Sequence, residues 1–289
     1  MYATVKTADQ SESPLLKWAG GKRHIADLLA GLLPADWRSG RYYEPFMGGG
    51  AMFLHLKPEQ ARLSDLNPRL IGFYRFVRDS PETLLASINQ LHDEFESAKA
   101  GKKSEVFYNM RSRFNECNPQ EIESASLLYV LNKLCFNGLY RENSKGLFNV
   151  PFGNKKRFPT VSEDQFFAVS KLLTNAGLKT SDFVIAVATA ESDDFVYFDP
   201  PYIPINPTSS FTAYSSTGFG IDDQKRLAEL MLNLAARGVR AMCSNSDCAV
   251  TREVYSSLRI DVIQAPRMVS ASSDGRKLVN ELVIRNYEL

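Results

Sequence analysis

Asp199-Pro200-Pro201-Tyr202 follows an unbroken apolar and aromatic run, Phe195 to Phe198. Such a run reads as a buried strand, and open α/β sheets bind ligands at the carboxyl ends of their strands. Two prolines remove two backbone donors and stiffen the loop. What is left is a carboxylate, free carbonyls and one aromatic ring, a pocket suited to a planar group that carries an NH2. An adenine amino group is a weak nucleophile, because its lone pair is delocalised into the ring. Hydrogen bonds from that NH2 to the Asp199 carboxylate and the Pro200 carbonyl would hold it and favour a pyramidal nitrogen. Tyr202 could stack on the base. A base in a duplex must leave the stack before such a pocket can reach it. Out of context, the same residues also suit a strand-ending turn with a helix cap.

A second constellation lies earlier. Phe46-Met47-Gly48-Gly49-Gly50 ends a short strand candidate, Arg41 to Phe46, and precedes a helical stretch, Ala51 to Leu56. Glycine lets a backbone turn sharply and approach a ligand closely. A second short strand, Arg62 to Ser64, runs into Asp65. An acid there can accept hydrogen bonds from both hydroxyls of a ribose. Strand, glycine turn, helix, strand and acid make the nucleotide-binding half of an open α/β sheet. The glycines depart from the G-x-G-x-x-G spacing of a dinucleotide site, which disfavours a nicotinamide oxidoreductase. Alone, the run reads equally well as a flexible turn.

These residues need a scaffold. The 289 residues, 44% hydrophobic and 23% charged, suffice for a large domain with an insertion and a sizeable core. Lys22 to Leu33 reads as an amphipathic helix closed by Pro34. From Pro68 to Ser126 apolar residues recur at helical spacing, as in Leu84, Leu85, Ile88 and Leu91, a stripe read as core packing. Ser124 to Leu134 is a further apolar helix. Phe136 to Phe158 mixes Gly, Asn, basic and aromatic residues and fits a hairpin with Asn143 to Gly146 near its tip. After Pro159 the α/β pattern returns, with a helix over Asp222 to Arg237 and strands over Val239 to Ser244, Ile260 to Gln264 and Leu282 to Arg285. The expected fold is α/β: an open Rossmann-like sheet flanked by helices, from residues 1–67 and 160–289. A mostly helical insertion, 68–159, interrupts it and carries a hairpin over about 135–157.

Composition narrows the function classes. Net charge is +1, so a nucleic-acid partner must be argued from local clusters such as Lys155-Lys156-Arg157, a basic run beside aromatic residues. Cys117, Cys135, Cys243 and Cys248 form no C-x-x-C pair, and histidine is limited to His24, His55 and His92. That argues against structural zinc and disulfides, and no metal is expected. Cys243 and Cys248 read as packing or surface thiols, and His24 as surface or packing. The segment Met1 to Ser13 is polar, without the layout of a signal peptide, and no apolar run approaches a membrane span. A reducing, cytoplasmic setting and a monomer are expected.

Several motifs then occur in a telling order: Lys17-Trp18-Ala19-Gly20-Gly21-Lys22, Glu44 to Gly50, Ser64-Asp65-Leu66-Asn67 and Asp199 to Tyr202. Together they resemble the Dam-type DNA adenine methyltransferases. Phe136-Asn137-Gly138-Leu139-Tyr140-Arg141 and Phe148 to Gly153 resemble that family's recognition hairpin. Phe211 to Tyr214 and Arg276 to Leu282 match it too, so the likeness runs from about Leu16 to the C-terminus.

The resemblance implies a Rossmann-like methyltransferase sheet that binds S-adenosylmethionine, releases S-adenosylhomocysteine and methylates N6 of a flipped adenine in double-stranded DNA. It implies that Trp18, Lys22, Phe46, Gly48, Asp65 and Asp199 line the cofactor site, with Asp182-Phe183 against the cofactor's adenine. Asp199, Pro200, Pro201 and Tyr202 would be catalytic. Lys17, Leu139, Arg141 and Pro151 match positions that read GATC, and Asn137 a position near the gap left by the flipped base. Lysine and arginine suit guanine's acceptor edge, and an apolar contact suits a thymine methyl. Lys155 and Lys156 would touch phosphates. The action on DNA implies a nucleoid association.

Two departures bear on the target sequence. Asn154 to Pro159 is shorter than in the GATC enzymes and lacks an aromatic residue before the lysine, and Glu142 follows Arg141. Both leave the adenine chemistry alone and leave the recognition sequence open. Cytosine N4 methylation, RNA adenine methylation and a non-catalytic DNA-binding protein on a nucleotide-binding fold are the rivals. The Asp-Pro-Pro-Tyr form favours adenine, and the duplex-reading insertion favours DNA. Whether the protein stands alone, accompanies a restriction nuclease or comes from a phage stays open.

Overall fold

The structure, a computed structural model, describes residues 13–159, 161–203, 218–266 and 278–289. The Phe211 to Tyr214 and Arg276-Lys277 matches lie outside the described residues. The chain forms two compact units, each assembled from separate stretches: Met1–Gly21, Gly48–Lys57 and Asn67–Thr180 in the first, and Lys22–Met47, Pro58–Leu66 and Ser181–Leu289 in the second.

The strands are β1 (Tyr42–Glu44), β2 (Ala61–Asp65), β3 (Ala176–Thr180), β4 (Phe195–Phe198), β5 (Arg240–Ser246), β6 (Arg259–Pro266) and β7 (Leu278–Arg285), and they belong to a seven-stranded sheet. Within the second unit the order is β2-β1-β4-β5-β7-β6. The first four of these run parallel, and β7 runs antiparallel to both β5 and β6. This is the open, Rossmann-like α/β sheet expected. β1 lies between β2 on one side and β4 on the other, so the chain changes direction of travel across the sheet there. Crevices at such a switch point are where doubly wound sheets bind ligands.

Local chemistry explains the elements. All four residues of β4 are buried, as an unbroken apolar run covered on both faces requires. The Ile221–Ala236 helix turns Leu227, Met231 and Leu234 into a core with Val196, Phe198, Ala241, Cys243, Leu282 and Ile284. Full burial of each large apolar side chain contributes roughly 1.5–3 kcal/mol. β7 begins earlier than its buried half, Leu282–Arg285, because Leu278–Glu281 continues the pairing with exposed and half-exposed side chains.

One element differs from the periodicity. The helix expected over Lys22 to Leu33 is only Ala26–Ala30. Gly31 ends it, and Lys22 turns inward to 4% exposure instead of starting a helix.

The first unit is mostly helical: Pro68–Asp79, Pro81–Ser97, Lys103–Glu116, Ile122–Leu134 and Glu163–Leu173. Asn67 starts the first of these, its Oδ1 accepting from Arg69 N (3.0 Å) and Leu70 N (3.2 Å), with Pro68 at the first helical position. Leu84, Leu85, Ile88, Leu91 and Phe95 face inward, as their spacing predicts. Ile122–Leu134 is buried nearly all round, from Ser124 to Asn132, which marks it as the unit's central helix. Among the described residues no helix is long and apolar enough to cross a membrane.

Candidate active site

Strand register brings the candidate residues of the second unit together. Glu44 lies opposite Leu63, and Tyr43 opposite Val196. Carried two residues onward, the first register sets Phe46 level with Asp65; carried three, the second sets Phe46 level with Asp199. Three parallel strands thus present Phe46, Asp65 and Asp199 at one level, at or just past their carboxyl ends. Phe46 stacks on Phe183 (5.4 Å between centroids) and meets Phe219 edge-on (5.5 Å). Asp182 caps the short helix Phe183–Ala186 through Val184 N at 2.9 Å. Arg226 lies over the Phe183 ring, 5.0 Å from its centroid.

Asp199 is held from two sides. Lys22 Nζ is 3.1 Å from its Oδ1, and Ser244 Oγ donates to the same oxygen at 3.0 Å. No described residue occupies Oδ2. Burial pushes the Asp199 carboxyl above its ordinary range, while Lys22 and then the Ser244 hydrogen bond pull it back. Lys22 also sits over the Tyr202 ring, 4.1 Å from the centroid, and the Tyr202 hydroxyl donates to Glu281 Oε2 at 2.7 Å.

The rest of the loop is clamped by buried amides. Gln224 Nε2 donates to the Pro201 carbonyl at 2.8 Å, and its Oε1 accepts from Asn245 Nδ2 (3.0 Å) and Tyr255 hydroxyl (2.7 Å). Asn245 Oδ1 accepts from Ile203 N at 3.2 Å, and the Ser246 hydroxyl donates to the Ile203 carbonyl. Among the described residues, nothing donates to the Pro200 carbonyl. Among the described residues, the loop therefore leaves two acceptors unengaged, Asp199 Oδ2 and Pro200 O, on a backbone with little freedom.

The first unit holds the remaining candidates. Trp18 stacks on Tyr140, with centroids 5.1 Å apart. Gly48 has φ +50°, and a Cβ there would lie 2.8 Å from Trp18 Cδ1, so only glycine lets this backbone lie against the indole. Asn137 and Gly138 both have positive φ, 56° and 67°. With Leu139 N donating to Phe136 O at 3.3 Å, they form a tight Asn-Gly turn of type I′. Asn132, 3% exposed, grips both this turn and Lys17. Its Oδ1 accepts from Lys17 N (2.8 Å), and its Nδ2 donates to Lys17 O (2.8 Å) and Gly138 O (3.0 Å). Asn132→Ala is expected to destabilise the fold by about 1–3 kcal/mol, the penalty for stranding buried polar groups, read as a lower urea midpoint at unchanged slope.

Beyond that turn Leu139, Arg141, Pro151, Lys155 and Lys156 are all exposed. The chain reverses at 143–146, where Asn143 N donates to Leu147 O (2.9 Å) and Asn149 N to Arg141 O (3.0 Å). Arg141 Nε donates to Asn149 Oδ1 at 2.7 Å, which orients its guanidinium. Lys103 Nζ holds the Lys156 carbonyl at 2.8 Å, and Phe158 is buried, so the basic run is anchored at its base.

A family model for D12 class N6 adenine-specific DNA methyltransferases matches residues 18–269. The chain belongs to this family. Among its relatives, the Type II methyltransferase M.MjaIII of Methanocaldococcus jannaschii is 39% identical, over 95% of this chain and 99% of that protein. The Type II methyltransferase M1.LlaDCHI of Lactococcus lactis subsp. cremoris is 37% identical, over 95% of each chain. A DNA adenine methylase of Vibrio cholerae is 36% identical, over 95% of this chain and 96% of that one. As a D12 class enzyme, the protein transfers a methyl group to N6 of adenine in DNA, and the family implies S-adenosylmethionine as donor. Adenine thus prevails over cytosine, and an enzyme over a binding protein.

Ser244, Glu281, Phe219, Gln224, Asn245 and Asn132 escaped the sequence reading as site residues. Gln224 had left a signal. It occupies the buried stripe with Leu227, Ala228, Met231 and Leu234, where a polar side chain needs a purpose.

Proposed function

We propose that Asp199–Tyr202 receives the amino group of an adenine taken out of the DNA stack, and that the neighbouring strand ends hold the methyl donor. The observation that carries this reading is the pair of acceptors that no described residue engages, Asp199 Oδ2 and Pro200 O, on a loop fixed by Lys22, Ser244, Gln224, Asn245 and Ser246. When bound, S-adenosylmethionine supplies a methyl group carried on a positively charged sulfur. The residues suit it: Asp65 offers a carboxylate for ribose hydroxyls, and Phe46 and Phe183 offer aromatic surface for its adenine, with Asp182 and Lys22 nearby in the same unit. Asp199 and Pro200 accept the two amino hydrogens and draw the nitrogen lone pair out of conjugation. As that nitrogen gains positive charge, the same acceptors stabilise it, and their rigidity means little reorganisation is needed. Tyr202 offers its ring face to the base. No strong base is required to start the reaction.

The target is double-stranded DNA, and the proposed recognition sequence is GATC. In this reading Lys17, Leu139, Arg141 and Pro151 contact base edges, and Asn137 lies at the vacated position. Lys155 and Lys156 contact phosphates. Their common exposure on the first unit supports it, as does the Asn132 grip that ties Lys17 to the 137–138 turn.

Incubation with random-sequence duplex DNA, followed by base-resolution mapping, tests the target. Methyl groups on the adenine of GATC are expected, and a different consensus overturns the sequence assignment alone. Asp65→Ala is expected to weaken S-adenosylmethionine binding more than it slows the methyl-transfer step, because a ribose contact lies away from the reacting carbon. Titration calorimetry checks this, and unchanged affinity removes Asp65 from the cofactor site.

A further inference from the structure

Glu281 has a task that the motifs do not assign. It lies in β7, paired with Ser246 of β5 on one side and Ile263 of β6 on the other, so its backbone is fixed by two neighbouring strands. Its side chain is 13% exposed. One oxygen, Oε2, accepts from the Tyr202 hydroxyl at 2.7 Å, and the other lies 3.9 Å from His24 Nε2. Tyr202 is also held through its ring by Lys22 Nζ, which reaches Asp199 Oδ1 in turn. Glu281, Tyr202, Lys22 and Asp199 thus form one chain of contacts that runs from β7, paired on both sides, to the reacting loop.

A carboxylate at this place is not electrostatically neutral. Its charge opposes ionisation of Asp199 and pushes that carboxyl further up. An uncharged residue of similar shape would fill the space without that penalty. What the acid offers is a strong acceptor for a phenol, since hydrogen bonds to an ionised partner are roughly twice as strong as neutral ones. A ring pinned at its hydroxyl and covered by an ammonium on its face has little freedom to tilt.

We infer that Glu281 is a positioning residue for methyl transfer: by holding the Tyr202 hydroxyl it sets the ring against which the extruded adenine stacks. This rests on the reading of Asp199–Tyr202 as the amino-group pocket. Displacement of a reacting group by a fraction of an ångström lowers rate through lost alignment rather than lost affinity.

The test uses the full-length chain, methyl-labelled S-adenosylmethionine and duplex DNA free of adenine methylation. Glu281→Ala is expected to lower the single-turnover rate about tenfold, with the cofactor Kd and the DNA KM changed less than about twofold. Glu281→Gln keeps a neutral carbonyl acceptor, weaker than the carboxylate, and should recover part of the rate. Tyr202→Phe should match Glu281→Ala, and the double variant should be no slower than either single one. Should Glu281→Ala fail to fold, Tyr202→Phe removes the same hydrogen bond with the acid in place and carries the comparison. Losses that multiply in the double variant, or a loss confined to cofactor affinity, overturn the inference. A Tyr202→Ala enzyme of normal rate overturns the pocket reading and this inference together, which separates the two failures.

Discussion

Asp199→Ala is expected to slow methyl transfer by about a hundredfold or more, while the protein keeps its fold. The side chain sits past the end of a fully buried strand, its position set by Ser244 across the β4–β5 pairing and by Lys22. Alanine removes the acceptor that would bind one amino hydrogen and stabilise the charge growing on nitrogen. Single-turnover rates on duplex DNA at saturating cofactor, with circular dichroism to verify the fold, check the outcome. A folded Asp199→Ala enzyme of near-normal rate sinks the catalytic assignment. A pH profile adds a signed expectation. Burial holds the Asp199 carboxyl above its ordinary value, and in the proposed mechanism the carboxylate is the active form. Activity should therefore fall as pH drops through that raised value. Lys22 is the largest influence pulling the value down, so Lys22→Met should move the acid limb of the profile to higher pH. A limb that stays in place means the limiting group is not Asp199.

Much of this site was legible in the sequence because its logic is local. β4 declares itself as an unbroken apolar run, and the loop that follows can only be at a strand end. Asp65 is found the same way. Residues whose roles depend on distant partners were not legible. Ser244 matters because β5 pairs with β4 in a register that sets it opposite Asp199, and Glu281 because β7 returns antiparallel to β5. Neither fact is written in nearby residues. Lys22 shows the limit most clearly. Its helical surroundings predict a solvated first turn, yet the carboxylate of Asp199, 177 positions away in sequence, draws it inward and the helix starts later. Long-range electrostatics overrode periodicity at a candidate site residue, where such conflicts are expected. The Asn137-Gly138 turn is the opposite case. The dipeptide is a strong tight-turn signal, and its positive φ values follow from it.

Arg141→Ala is expected to compress discrimination at one base pair by about 1–3 kcal/mol, roughly five- to 150-fold, with cofactor binding unchanged. Lys155→Ala and Lys156→Ala should act differently, weakening binding to every duplex alike and flattening its salt dependence. The structure gives each residue a setting that fits its part. Arg141 is exposed but aimed, because Asn149 Oδ1 holds its Nε and the hairpin backbone closes behind it. An oriented guanidinium has donors left for the acceptor edge of guanine. Lys155 and Lys156 are exposed on a segment fixed from below by Lys103 and Phe158. Base-edge contacts carry sequence information, whereas phosphate contacts carry affinity and counterion release. Each lost phosphate contact should lower the slope of log K against log salt by about 0.9. Binding and methylation on GATC duplexes and their single-base variants, at several salt concentrations, separate the two classes. If Arg141→Ala lowers activity equally on every variant with all ratios intact, Arg141 is a backbone contact or a structural residue. If wild type shows no preference for GATC, the proposed reading of that sequence fails, while adenine methylation stands on the family match and on the loop from Asp199 to Tyr202.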